Sequence, residues 1–180
     1  IGLVGSEMCI RDRYMNYCYG CHSLQYSRYK RVAEDLDIPI DLYIENLIYD
    51  GSKPGELMKI SLSKEDAINW LGAYPPDLTL EARVRKPEWI YTYLRSYYSD
   101  ASRPYGVNNL VYKNVSMPHV LEDLQTSLTE KEFDKVISDL TNFLVYVSDP
   151  SARERKQMGV YVLLFLLSVS YTHLTLPTNA

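Results

Sequence analysis

Residues 14–24 read Tyr14-Met15-Asn16-Tyr17-Cys18-Tyr19-Gly20-Cys21-His22-Ser23-Leu24, and the five residues Cys18-Tyr19-Gly20-Cys21-His22 decide how the rest of the chain is read. Two thiols at this spacing lie on one turn of backbone. They can add to both vinyl groups of one haem, and the adjacent imidazole then points at the iron from the same side. Thioethers tether the ring, and a neutral imidazole nitrogen is the proximal ligand. Two other uses of a CxxC compete. A thiol–disulfide oxidoreductase of thioredoxin type wants a strand before the motif, and no strand pattern precedes Cys18. A zinc site wants further Cys or His at close spacing. Within residues 14–167 the only other His is His119, and no third Cys is present.

A c-type haem needs a sixth ligand, and four methionines are candidates: Met15, Met58, Met117 and Met158. Met15 sits beside the attachment motif and cannot reach the opposite face of the ring. Met158 opens an apolar run. Met58 lies in the apolar stretch 57–62, where a core role is expected. Met117 precedes Pro118 in a loop that begins at Gly106-Val107-Asn108-Asn109, and a proline-stiffened loop can hold a thioether against iron. His119 is the rival and would make a bis-His site. Met117 is the expected ligand, and Met/His ligation raises the potential.

Outward from the motif, the pattern is helical. Residues 24–36 carry Tyr29, Val32, Ala33 and Leu36 at helical spacing, which predicts a helix ended by Pro39. Asp41 is placed to cap a short helix with Leu42, Leu47 and Ile48 inward. The turn residues of 50–55 predict a loop. Ser63-Lys64-Glu65-Asp66 reads as a helix start, with Ala67, Ile68 and Leu71 behind it and Gly72 as the stop. Pro75-Pro76-Asp77 is a rigid turn, with Asp77 able to cap the next helix. Pro87-Glu88 opens a helix with Ile90, Tyr93, Leu94 and Tyr97 on one stripe. Residues 99–120 are broken by Pro104, Gly106, Asn108, Asn109 and Pro118 and predict a loop. Thr129-Glu130-Lys131-Glu132 is a capping box. Behind it Phe133, Val136, Ile137, Leu140, Phe143, Leu144 and Val147 form one apolar stripe, stopped by Pro150. No βαβ alternation is present. The predicted class is all-α with long loops, which need something else to organise them.

Composition agrees. The 180 residues are 46% hydrophobic and 23% charged, which excludes a disordered chain, a collagen or a coiled coil. A net charge of −4 argues against a nucleic-acid partner, which needs a dense basic face. Seventeen tyrosines stand against 3 Phe and 2 Trp, an interior with polar handles such as suits a large cofactor. Residues 34–50 carry Glu34, Asp35, Asp37, Asp41, Glu45 and Asp50 with no basic residue among them. Such a run is either a solvated face or a docking patch for a cationic electron-transfer partner. Residues 158–167 are almost wholly apolar, ten residues where a spanning helix needs about 20. Residues 1–13, IGLVGSEMCIRDR, and residues 168–180, SVSYTHLTLPTNA, resemble translated adapter sequence. They are expected to be foreign, so Cys9 and His173 are given no role. As written, the apolar run is expected to be too short to span a bilayer stably.

The string Tyr14–Leu24 resembles the attachment region of the cytochrome c1 family, the haem subunit of ubiquinol–cytochrome c reductase, in its proteobacterial form. Gly72-Ala73-Tyr74-Pro75-Pro76-Asp77-Leu78 is similar to the family segment that packs along the haem edge, which brings in Pro76. Ala82-Arg83-Val84-Arg85 resembles the segment whose arginine contacts a haem propionate, here Arg85. Asn108-Asn109 through Met117-Pro118 resembles the loop of the axial methionine, and residues 155–167 resemble the start of the single C-terminal anchor.

The resemblance implies a cytochrome-c-like all-α haem domain over residues 14–150 and the start of an anchor over 151–167. It implies one covalent haem on Cys18 and Cys21, its iron between His22 and Met117, with Arg85 and Pro76 along the cofactor. The implied function is one-electron transfer from a Rieske iron–sulfur protein to a cytochrome c, beside cytochrome b, with the haem domain in the periplasm of a bacterial inner membrane. The chain is then no enzyme on its own but a subunit of the oxidoreductase. Another membrane-tethered c-type cytochrome, such as an oxidase subunit, or a haem-free thiol oxidoreductase are the alternatives.

Overall fold

The computed structural model describes residues 12–175. They fall into two units, one ending at Ser148 and one beginning at Asp149. Cys9 and residues 176–180 lie outside the described residues.

The first unit opens with helix α1, whose described residues are 12–17, followed by the turn that carries the two cysteines. Residues 24–36, expected as one helix, divide. Leu24–Arg28 is strand β1, and only Tyr29–Asp35 is helix α2. The reason lies in a partner strand: Leu24 and Arg28 lie opposite Met58 and Leu57. The Gln25 N–H donates to Asp77 Oδ2 at 2.7 Å and the Tyr26 N–H to Thr79 Oγ1 at 3.4 Å, which ties the same segment to residues 77–79. β1 pairs antiparallel with β2, Leu57–Met58, with Leu24 opposite Met58.

Helix α3 spans Ile40–Leu47 and buries Tyr43 and Leu47, while Leu42, expected inward, is exposed. Helix α4, Lys64–Leu71, starts as read: Ser63 Oγ accepts from the Asp66 N–H at 3.0 Å, and Gly72 ends the helix in the left-handed region. Its buried residue is Ala67; Ile68, expected inward, is exposed. Helices α5, Glu81–Arg85, and α6, Pro87–Arg95, meet at Lys86, whose φ is +70°. Asp77 does not cap α5, which begins four residues later. Its carboxylate bridges Gln25 and Thr79 instead. A second ribbon forms where β3, Tyr97–Ser99, pairs antiparallel with β4, Val107–Asn109, inside the predicted loop 99–120. Helix α7 follows at Glu122–Ser127.

Helix α8, Glu130–Ser148, is the spine. Its capping box is reciprocal: the Thr129 N–H donates to Glu132 Oε2 at 2.9 Å, and the Glu132 N–H donates to Thr129 Oγ1 at 3.4 Å. All seven residues of the apolar stripe are buried. They share one core with Tyr14, Leu24, Tyr29, Val32, Tyr43 and Met58. Ile137 is fully buried. Ile137→Ala should lower stability by about 2–5 kcal/mol through lost burial and a residual cavity. A urea titration should show this as a lower midpoint at unchanged slope.

The second unit is helix α9, Ala152–Thr175. The apolar run read from the sequence ends at Leu167, but the helix does not. Ser168 Oγ donates to the Phe165 carbonyl, Thr172 Oγ1 to Val169 and Thr175 Oγ1 to Tyr171. Hydroxyls that fold back on their own helix are satisfied without water. The 24 residues make about 36 Å of helix against a hydrocarbon core of about 30 Å. By length and composition this helix can cross a membrane.

Candidate haem site

The attachment turn is built by short-range bonds. The Cys18 N–H donates to the Tyr14 carbonyl and the His22 N–H to the Cys18 carbonyl, both at 2.9 Å. Tyr14 is buried beneath the turn, and its hydroxyl donates to the His22 carbonyl at 2.8 Å. Cys21 is exposed, whereas Cys18 is largely covered. Burial, with the neighbouring Cys21 as a smaller cause, pushes the Cys18 thiol up to about 12.

His22 is 8% exposed, and its Nδ1 lies 2.8 Å from the Pro76 carbonyl. A carbonyl only accepts, so Nδ1 carries the proton and Nε2 keeps its lone pair. Burial lowers the pKa of this imidazole, outweighing the Pro76 carbonyl, which raises it. The ring is therefore held neutral, in the tautomer and orientation that a metal ligand needs. Pro76 thus acts through its backbone oxygen. The segment that holds it is pinned to the motif, since the Leu78 N–H donates to the Ser23 carbonyl at 3.0 Å. Asp77 accepts from Gln25 as described above.

The methionines separate by burial. Met58 is fully buried and Met15 nearly so, both within the core, and Met158 lies exposed on α9. Met117 is half-buried on its loop, and the Tyr93 hydroxyl donates to its Sδ at 3.5 Å. The Tyr97 hydroxyl donates in turn to Tyr93 at 2.8 Å. His119 is engaged otherwise. Its ring stacks on Tyr97 at 4.6 Å, and its Nε2 lies 2.5 Å from Gln125 Oε1.

The side chains of Asn108 and Asn109, read above only as breakers of periodicity, hold the Met117 loop in place. Asn109 is fully buried; its Nδ2 donates to the Tyr93 carbonyl at 2.7 Å, and its Oδ1 accepts from the Val111 and Tyr112 N–H groups. Asn108 Oδ1 accepts from the Asn114 N–H at 2.9 Å. A buried Asn amide offers both donors and an acceptor, so one side chain can replace several ladder bonds. Adjacent Asn residues between hydrophobic neighbours were the available signal.

Arg85 lies on the last turn of α5, with Nε 3.3 Å from Glu81 Oε1 and its guanidinium 4.8 Å from the Trp89 ring centre. Trp89 stacks on Tyr93 at 5.0 Å. Arg85 and Tyr93 thus sit at two ends of one stack.

The donor set fits a c-type haem: two thiols on one turn, an imidazole with a free Nε2 beside them, and a thioether on a braced loop. Exposed apolar side chains follow Pro76 in sequence (Leu80 and Val84) and precede Met117 (Leu110, Val111 and Tyr112). Such side chains suit the faces and edge of an apolar macrocycle. Among the described residues no group of three or more His, Cys, Asp or Glu could hold a bare metal ion, so the zinc reading gains no support there.

Comparison with known proteins points the same way. The cytochrome C1 family profile matches residues 53–179. Cytochrome c1 of Allochromatium vinosum is 44% identical over 85% of this chain and 74% of its own length. The ammonia monooxygenase gamma subunit of Nitrosomonas europaea is 37% identical over 87% of this chain and 74% of its own. A mitochondrial cytochrome c1 of Arabidopsis thaliana is 28% identical over 87% of this chain. With a family match over more than half its length and a close relative over most of it, the chain belongs to the cytochrome c1 family.

Proposed function

We propose that this chain carries one covalent haem, thioether-linked at Cys18 and Cys21, with iron between His22 Nε2 and Met117 Sδ. Family membership makes it a c-type cytochrome, the electron-transfer subunit of a cytochrome bc1 complex. The finer reading is that it takes an electron from the Rieske iron–sulfur subunit and passes it to a cytochrome c, beside cytochrome b. Its haem domain then faces the periplasm of a bacterial cell membrane, and quinol oxidation belongs to the rest of the complex. Bound haem supplies the one-electron couple. The protein groups hold and tune it: the Pro76 carbonyl fixes the imidazole tautomer, and Tyr93 bonds the thioether. Arg85, whose Nε alone is engaged by Glu81, offers further N–H donors to a propionate. Thioether ligation and burial both favour a high potential. The 2.8 Å contact of His22 Nδ1 with the Pro76 carbonyl, which leaves Nε2 free, is the observation that carries the reading.

The test is rapid mixing of the loaded ferric protein with a reduced Rieske fragment, followed at the haem α-band. Reduction within the mixing experiment and onward oxidation by ferric cytochrome c are expected. A protein that is reduced by dithionite but never by the Rieske fragment would remove the proposed donor.

Helix α9 is proposed as the membrane anchor. Expressed with a signal peptide, the chain should stay with the membrane pellet after alkaline carbonate washing. Release into the supernatant would show that residues 168–175 do not complete a span.

A further inference from the structure

Beside the attachment turn lies a phenol cluster that the haem site does not use. Tyr19, inside the CxxCH motif, has its hydroxyl oxygen 2.5 Å from that of Tyr29. Tyr29 donates to Asp50 Oδ2 at 3.1 Å, and Tyr19 also lies 3.1 Å from the Lys59 carbonyl. The Ser52 N–H holds Asp50 Oδ1 at 2.9 Å. The rings are neighbours: Tyr14 and Tyr19 tilted at 6.3 Å between centres, Tyr19 and Tyr29 edge-on at 6.4 Å. Tyr29 is fully buried, Tyr19 half-buried and Asp50 exposed.

We propose that Tyr19, Tyr29 and Asp50 form a proton-coupled one-electron donor that drains oxidising equivalents from the haem pocket to the surface when a peroxide reacts there. The proposal rests on haem attachment at Cys18 and Cys21. A phenol loses an electron readily only if its proton leaves too, and the leaving proton needs a base within hydrogen-bond reach. Asp50 is that base. Burial works to raise its pKa, but the bonds from Ser52 and Tyr29 outweigh it and hold the carboxyl below its usual range, so it is ionised at neutral pH. Tyr29 gives its electron to the peroxide-derived oxidant. Its O–H breaks and the proton passes to the Asp50 carboxylate, which releases it to water. Tyr19 then gives a hydrogen atom across the phenol–phenol contact, restoring Tyr29 for a second oxidation and moving the radical to the half-buried ring. One peroxide becomes two waters with two electrons and two protons, the yield of two such phenol oxidations.

The stack Trp89–Tyr93–Tyr97 has comparable ring contacts, but Tyr93 donates to a thioether sulfur, which is no proton acceptor. The carboxylate is what separates the two clusters.

The test uses the loaded ferric protein, its haem first verified by a pyridine haemochrome spectrum, mixed with hydrogen peroxide and freeze-quenched for electron paramagnetic resonance. A tyrosyl signal is expected in the parent protein and in Tyr26→Phe, an exposed control. It should be lost in Tyr29→Phe. Asp50→Asn should slow its appearance by about 100-fold, the low end of what a positioned proton acceptor contributes. An undiminished signal in both Tyr29→Phe and Asp50→Asn, with the haem spectrum unchanged, would overturn the proposal, as would no organic radical in the parent. A chain without haem in the first spectrum would instead overturn the attachment reading, and this one with it.

Discussion

Acid denaturation followed by extraction with organic solvent should leave all of the haem on the parent protein and release all of it from a Cys18→Ser, Cys21→Ser double variant. The expected effect is complete because both proposed covalent bonds are thioethers to these two sulfurs. The single variants are expected to differ. Cys21 is exposed, so its loss leaves the turn intact; Cys18 is covered by the core, and serine there buries a hydroxyl in place of a thiol. Cys21→Ser should therefore retain a singly tethered haem in good yield, and Cys18→Ser less. His22→Ala, by contrast, should keep the tether and lose the low-spin spectrum, because ligation and attachment reside in different atoms. Haem that leaves the parent protein with the solvent would refute covalent attachment.

Met117→Leu should abolish the long-wavelength sulfur-to-iron charge-transfer band of the oxidised protein and lower its reduction potential, since a thioether favours ferrous iron. His119→Ala should leave both unchanged, because its ring is stacked on Tyr97 and its Nε2 is held by Gln125. Met58→Leu, deep in the core, should cost less than about 1.5 kcal/mol of stability as a volume-conserving exchange and leave the spectrum alone. If His119→Ala removes the band while Met117→Leu keeps it, the sixth ligand is misassigned.

Much of this was legible in one dimension because it is local. The thiols and imidazole of the attachment motif fall on one turn. The α8 stripe and its capping box obey the 3.6-residue period without help from elsewhere. What could not be read depends on partners distant in sequence. Residues 24–28 read as the start of the helix behind them, yet Leu57 and Met58, about thirty positions on, pair with them as a strand. Residues 107–109 look like loop because Asn is a turn former, yet buried Asn109 serves as scaffold. Arg85 illustrates the third case: its nearest partners are Glu81 and Trp89 on its own stretch of chain, a placement any exposed helix end could produce. The motif alone predicts a tethered haem; only the Pro76 carbonyl indicates which imidazole nitrogen is left free for a metal.

The braces on the Met117 loop bear on the speed of the reaction as well as on its geometry. Asn109 ties the loop to the Tyr93 carbonyl, Asn108 closes it on Asn114, and Tyr93 reaches the sulfur itself. The two asparagine braces are bonds between protein groups that would not depend on the charge of an iron at Met117. With Met117 as the proposed ligand, its sulfur would keep nearly the same place before and after an electron arrives. The inner reorganisation energy would then be small, and little of the driving force would be spent on moving atoms. Transfer through such a site would be governed by distance and driving force, as the proposed carrier requires.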